Sequence, residues 1–343
     1  MKKILLRVKK FLSNRNYFGT LYRLPQYNDE PKLFQYFLGF QNSPDNQIDF
    51  GGGTSLNREI AQTKAIGETI ERFALSHIDQ KLLINKEISK IKQKYLNPCE
   101  INYFTTEQRK KFNLGFIDQN SKINWIYGVD LLNNCKILIP AQLVFVPYYS
   151  HKEPKILHPI STGAAFALNK NAAIKRGILE IIERDAFIIA YLNKMRCPKI
   201  NLESIKSQKI NKILSIYSRY LLETHLICLT LDVPICVIGA ILIDKTGVGP
   251  AVSVGLKASL DPEKAIIGAL EEAFHSRSWI RDHMDTKRKL NLNEILDRGL
   301  YWSRPEMIKY LNFWIKNNNK VDFKKLNKHK DALNTLIKIL KKL

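Results

Sequence analysis

Residues Gly51-Gly52-Gly53-Thr54-Ser55 run without a proline into Ala65-Ile66-Gly67-Glu68-Thr69-Ile70-Glu71-Arg72, and this glycine-to-helix junction limits what the chain can fold into. The apolar spacing after the glycines predicts a helix over 57–78. On that helix Glu68 and Glu71 share a face with Arg72 beside them, because an α-helix turns once in about 3.6 residues. The pattern returns at Leu179-Glu180-Ile181-Ile182-Glu183-Arg184. Two helices with paired carboxylates at one spacing suggest a shared cation site. The same spacing also serves solvated i,i+4 pairs with Arg72 or Arg184, each worth about 0.3–0.5 kcal/mol. Spacing alone leaves both readings open.

Glycines ahead of a helix can present backbone N–H groups to phosphate oxygens. No Gly-Lys-Ser/Thr follows them, so a Walker loop is excluded. Mg2+ takes oxygen ligands, usually a few carboxylates together with substrate phosphates, which makes Glu68, Glu71, Glu180 and Glu183 the candidate metal set. A third helix is predicted from Pro262 to about Arg281, capped by Asp261 with proline in its first turn. It brings Glu272, His275 and Arg277 close together in sequence. A guanidinium pairs bidentately with phosphate oxygens, so Arg277 suits a phosphate clamp. A lone His275 on a helix is more often a structural polar group than a catalyst.

With 343 residues, 45% of them hydrophobic and 10% aromatic, the chain has ample material for a core, which excludes global disorder. No apolar run approaches the roughly 20 residues that a membrane helix needs. The lead segment, 1–16, alternates bases with apolar residues and lacks the unbroken apolar core of a secretory signal. It reads as a basic amphipathic strand or helix. Cys99, Cys135, Cys197, Cys228 and Cys236 form no C-x-x-C pair, which argues against zinc and disulfide frameworks and suits reduced thiols in the cytoplasm. A net charge of +22 raises a nucleic-acid-binding reading. Against it, residues 316–343 alone hold nine lysines against Asp322 and Asp331, without a recognition motif. Aromatic residues are not interleaved with the bases as a single-strand platform requires.

In chain order, short strands are expected over 17–22 and 36–40, a lysine-rich passage over 86–94 and a short helix over 105–112. A hairpin follows, with strands 123–131 and 137–146 joined across Asn133-Asn134. After a Pro/Tyr/His loop at 147–160 come the second acidic helix, 170–194, and a helix over 202–221. Strands at 226–232, 236–243 and 250–258 lead to the third helix, and the tail reads as helical and basic. No Gly/Ser or Pro linker divides the chain, so one interleaved α+β domain is expected, with antiparallel sheets flanked by helices.

These segments resemble the motifs of the YcaO family. Gly51-Gly52-Gly53-Thr54-Ser55 with residues 65–72 resembles the first motif, and Ser161-Thr162-Gly163-Ala164-Ala165 running to 176–187 resembles the second. Residues 255–277, with Asp261-Pro262 and Ala269-Leu270-x-Glu272-Ala273, resemble the third. Trp125-x-Tyr127-Gly128 and Ile139-Pro140-Ala141 fit the segment between. The resemblance spans a motif-bearing core at 50–283 and leaves 284–343 as the basic tail of one domain over 1–343. It implies an ATP-dependent enzyme that phosphorylates a peptide backbone amide oxygen. Attack by a Cys, Ser or Thr side chain then gives an azoline, sulfide a thioamide, and an amine an amidine.

By the same resemblance, Glu68, Glu71, Glu180 and Glu183 would hold Mg2+ on the ATP phosphates, between the acidic helices. Arg184 and Arg277 would stabilise phosphate charge during transfer, a task of positioning and electrostatics. Lys64, Asn169 and Gly51, Gly52 and Gly53 would lie at the nucleotide, and Glu272 and His275 would join the catalytic set. The substrate would be a precursor peptide or a protein, delivered by a ThiF-like partner for azolines or a TfuA-like one for thioamides.

The sequence also departs from the family pattern. Ala167-Leu168 stand where a Gly-Asn pair is usual, with Asn169 one place later; Ala172 replaces a Glu, and His275 a Gln. All fall on nucleotide-site positions and motivate a second reading, a degenerate scaffold that binds a partner or peptide without catalysis. The family usually continues past a helix like 332–340 with further strands and, in azoline-forming members, a Pro-rich end. The tail here is expected to lack those strands, leaving an edge for a partner or a homodimer contact.

Overall fold

The structure, a computed structural model, describes residues 17–41, 48–101, 104–149, 152–284 and 289–342. The basic lead segment 1–16 lies outside the described residues. Strands β1 (Phe18–Arg23), β2 (Phe34–Gln41) and β3 (Ile48–Ser55) form an antiparallel sheet in that order. Helix α1 (Arg58–Ser76), capped by the Asn57 side chain on the Ile60 N–H, covers one face of it. Alternation along β2 sends Tyr36 and Leu38 inward against Ala61, Ala65 and Ile66. The glycines are strand residues here: Gly51, Gly52 and Gly53 pair with Leu38, Phe37 and Tyr36. A Cβ on Gly53 would stand 2.2 Å from the Ala61 carbonyl oxygen, so glycine lets the helix lie flush on the strand. The loop of free amides expected at 51–53 is not formed.

Strands β4 (Ile84–Glu87), β5 (Lys122–Asp130) and β6 (Cys135–Pro140) make a second antiparallel sheet. It has its own core of Ile88, Ile117, Ile123, Trp125, Leu138 and Ile156. The hairpin turns at Asn133-Asn134 as expected, with Asn134 at φ 51°. Strand β6 stops at Pro140, which has no N–H to continue a ladder, and Ala141–Leu143 coil into a 3₁₀ turn.

The third sheet holds β7 (Lys199–Asn201), β8 (Leu222–Cys228), β9 (Cys236–Asp244), β10 (Val252–Ser259) and β11 (Lys320–Asp322), ordered β10-β9-β8-β7-β11. All pairs are antiparallel except β11 on β7. Every residue of β9 is buried, as a strand covered on both faces must be. Its even-numbered residues pack with α3 (Gln208–Arg219) and α4 (Pro262–Arg281). Its odd-numbered residues pack with α2 (Lys170–Leu192) and α5 (Leu333–Leu340). The glycine contact of β3 recurs here: a Cβ on Gly255 would stand 2.2 Å from both the Ala269 oxygen and the Ala273 nitrogen of α4.

Two expectations are revised. The tail is not wholly helical, because β11 adds a parallel edge strand whose Val321 packs on the core. The helix expected from 202 begins after its Ser207 cap, and β8 starts at Leu222. Among the described residues no helix is long and apolar enough to cross a membrane.

Candidate active site

Strands β3 and β10 are edges of their sheets, so their outward N–H groups have no neighbouring strand. Carboxylates take them. Glu68 accepts the Gly52 N–H at 2.8 Å, Glu272 that of Leu256 at 3.0 Å, and Glu183 that of Ala258 at 2.7 Å. Residues 161–168 lie between the acidic helices and supply two more amides: Phe166 donates to Glu71 at 2.9 Å and Gly163 to Glu180 at 3.3 Å. This segment nests on α2 because residue 177 is glycine; a Cβ there would be 2.4 Å from the Gly163 oxygen. Gly163 itself turns at φ +88°, a conformation open mainly to glycine. Five glutamates from α1, α2 and α4 are thus each oriented by one backbone amide.

Three bases accompany them. Arg72 pairs with Glu68 at 2.7 Å, Arg184 with Glu180 at 2.9 Å, and Lys257 with Glu183 at 3.3 Å. Burial pushes the Glu71 carboxyl from 4.5 up to about 7; the Phe166 amide opposes this, and the charges of Glu180 and Glu68 add to it. Burial and then the Glu183 charge push Glu272 up to about 7 as well, against the pull of Lys257. Glu272 nevertheless reaches solvent. Glu180 is raised by burial and Glu183, with Arg184 opposing.

Carboxylates that hold back one another's ionisation fit a divalent cation with oxygen ligands. Among the described residues no group of three His, Cys, Asp or Glu side chains converges to cage a metal ion alone. An Mg2+ shared with phosphates needs only one or two carboxylates.

Several expected site residues are engaged in structural contacts. Arg277 is 2% exposed and fully engaged: its Nε and Nη2 donate to Glu30 at 2.8–3.1 Å, Nη2 to Asp244 at 2.6 Å, and Nη1 to the Pro250 oxygen at 2.7 Å. Five residues after Glu272, it points about 140° around the helix. It ties the β1–β2 connection to β9 and is not available as a phosphate clamp. Asn169 caps α2, its side chain accepting the Ala172 N–H at 2.9 Å. Gly51 and Gly53 are buried beneath α1, and the Gly52 amide is taken by Glu68, so the glycines form no phosphate cradle.

His275 hydrogen-bonds Thr54 through Nδ1 at 2.9 Å and stacks on Phe37 with centroids 5.3 Å apart. It joins α4 to the first sheet, and burial lowers its pKa against the pull of Glu68. Lys64 donates to the Thr54 oxygen at 3.2 Å and pairs with Glu271, closing β3 against α4. Arg184 stays half exposed beside Glu180 and donates to the Thr162 hydroxyl at 3.2 Å. Lys257 and Glu271 were not among the expected residues. The signal for Lys257 was its place as the one charge in Val-Ser-Val-Gly-Leu-Lys-Ala-Ser.

A family model described as YcaO cyclodehydratase, ATP- and Mg2+-binding, matches residues 52–343. The chain belongs to the YcaO family. ATP and Mg2+ are accordingly the family's cofactors. The YcaO fold is also seen by superposition. A heterocyclase in complex with substrate and cofactor matches with a TM-score of 0.83 at 16% identity, covering 98% of this chain and 48% of that one. YcaO from Methanopyrus kandleri, bound with AMPPCP and Mg2+, gives 0.72 at 19% identity, over 98% of this chain and 80% of that one. The E. coli microcin synthetase McbBCD complex gives 0.66 at 14% identity, over 96% and 82%. In sequence, an uncharacterised protein of Methanothermobacter thermautotrophicus is 30% identical over 168 residues, 48% of this chain and 43% of that protein. The chain thus matches less than half the length of that relative and of the heterocyclase.

Proposed function

We propose that the chain activates a backbone amide of a peptide or protein by ATP- and Mg2+-dependent phosphorylation of its oxygen, after which a Cys, Ser or Thr side chain closes an azoline ring. Thioamide formation with sulfide is the alternative outcome of the same activation. One observation carries the reading: five glutamates on three helices are each held by a backbone amide, and their charges act on one another from Glu68 and Glu71 through Glu180 and Glu183 to Glu272. A carboxylate fixed through one oxygen is pre-organised. At Glu71 and Glu183 the amide takes Oε2 and leaves Oε1 for a cation, whereas at Glu68 and Glu180 a cation would displace Arg72 and Arg184 from Oε1. Glu68, Glu71, Glu180 and Glu183 would hold Mg2+, and the exposed Arg184 would meet phosphate charge. ATP, when bound, supplies the phosphoryl group that makes the amide oxygen a leaving group. Glu272, pushed up to about 7, can hold or release a proton near neutrality. The substrate would be a precursor peptide presented by a ThiF-like or TfuA-like companion, in keeping with the synthetase complex among the structural relatives.

The test is incubation of purified protein with ATP, Mg2+ and a precursor peptide encoded beside its gene. Phosphate release that requires the peptide, with a product lighter by one water, supports azoline formation. Replacement of oxygen by sulfur supports the thioamide route. Peptide binding without phosphate release would favour a non-catalytic scaffold, the reading motivated by Ala172 and by Leu168, which is 66% exposed.

A further inference from the structure

Lys257 stands between two of the amide-held carboxylates. Its neighbours Leu256 and Ala258 donate their N–H groups to Glu272 and Glu183, and its own ammonium lies 3.3 Å from Glu183. Its charge also reaches Glu272 and Glu180. The aliphatic stem is held in a trough on α4: a Cβ on Gly268 would stand 2.6 Å from Lys257 Cγ and 2.7 Å from Cδ. Glycine within a helix costs stability, and here it makes room for this one side chain. The side chain is 45% exposed, so ions and ligands reach it.

We propose that Lys257 is the resident counter-cation of Glu183, standing in for a divalent ion at that carboxylate until nucleotide arrives. The inference rests on the reading of Glu68, Glu71, Glu180 and Glu183 as the Mg2+ site. While the ammonium neutralises the carboxylates, a divalent ion alone gains little by entering. Phosphate oxygens give the ammonium a new partner and free the carboxylates, so metal enters together with nucleotide. Lys257 in this role couples the two binding events.

Mn2+ binding to the full chain, followed by electron paramagnetic resonance with and without AMPPCP, tests this in wild type, Lys257→Met, Lys257→Arg and Gly268→Ala. Without nucleotide, Lys257→Met is expected to bind Mn2+ about tenfold more tightly, from removal of one positive charge beside the ion. Lys257→Arg stays as weak as wild type, and Gly268→Ala, with its stem displaced, falls between. AMPPCP then improves Mn2+ binding less in Lys257→Met than in wild type. Damage to the fold would weaken binding, so tightening separates this role from a structural one. Equal or weaker Mn2+ affinity in Lys257→Met overturns the inference and leaves the metal site standing. No Mn2+ binding in any variant, with or without AMPPCP, overturns the metal site as well.

Discussion

Glu183 accepts the outward N–H of Ala258 at 2.7 Å, so one candidate metal ligand is also the cap on the edge of β10. The two tasks separate by substitution. Glu183→Gln keeps an acceptor and should unfold in urea within about 1 kcal/mol of wild type, while Glu183→Ala orphans a buried amide and loses about 1–3 kcal/mol. Calorimetry with Mg2+ and AMPPCP should show binding lost in both.

The strand glycines differ in what they face. Ala at Gly53 or Gly255 would drive a Cβ into helix backbone at 2.2 Å. Each should destabilise by about 1–3 kcal/mol or more. At Gly52 the nearest atoms belong to the side chains of His275 and Phe37. Gly52→Ala should therefore cost less in the same unfolding experiment, and an order reversed from this would contradict the packing.

Arg277 should matter for folding and not for nucleotide. Removing one partner of a buried ion network costs about 3–5 kcal/mol, so Arg277→Met should lower the urea midpoint sharply. Arg184→Gln, at a half-exposed side chain, should weaken nucleotide binding with little change in stability.

Asp244 gives that network a pH signature. Burial pushes its carboxyl up, but the Thr246 hydroxyl and amide and then Arg277 outweigh it and hold the carboxyl below 3.8. A depressed carboxylate contributes stability that is present above its unfolded value and is lost as pH falls through the folded one. Asp244→Asn, which keeps an acceptor but loses the charge, should thus be less stable than wild type by about 1.5–3 kcal/mol near neutrality. The gap should narrow below pH 3.8. A gap independent of pH would mean that the charge contributes nothing.

Asn169 is expected to act as a cap alone. Asn169→Ala should cost about 1 kcal/mol and Asn169→Asp almost nothing. Neither should change AMPPCP affinity by calorimetry; a large loss would return this residue to the nucleotide site.

Much of the architecture follows from local pattern. Glu68 with Glu71, and Glu180 with Glu183, share helix faces because three-residue spacing guarantees it. The Asp261-Pro262 start of α4 and the apolar run of β9 follow equally from neighbours in sequence. Lys320–Asp322 did not stand out as a strand, because three residues carry too short a period. Arg277 was misplaced because closeness in sequence to Glu272 says nothing of direction around the helix.

The sequence by itself determined the family, the three glutamate-bearing helices and which acids lie together on each. Those are consequences of spacing within one element. Only the tertiary structure decided which amides face those acids: Gly52, Phe166, Gly163, Ala258 and Leu256 come from two sheet edges and a connecting segment. It also decided that Lys257 rests over Gly268, while Arg277 turns away into a buried network with Glu30, 247 residues distant in sequence. Such partners are set by how sheets and helices pack, and periodicity within one segment carries no information about what lies opposite it.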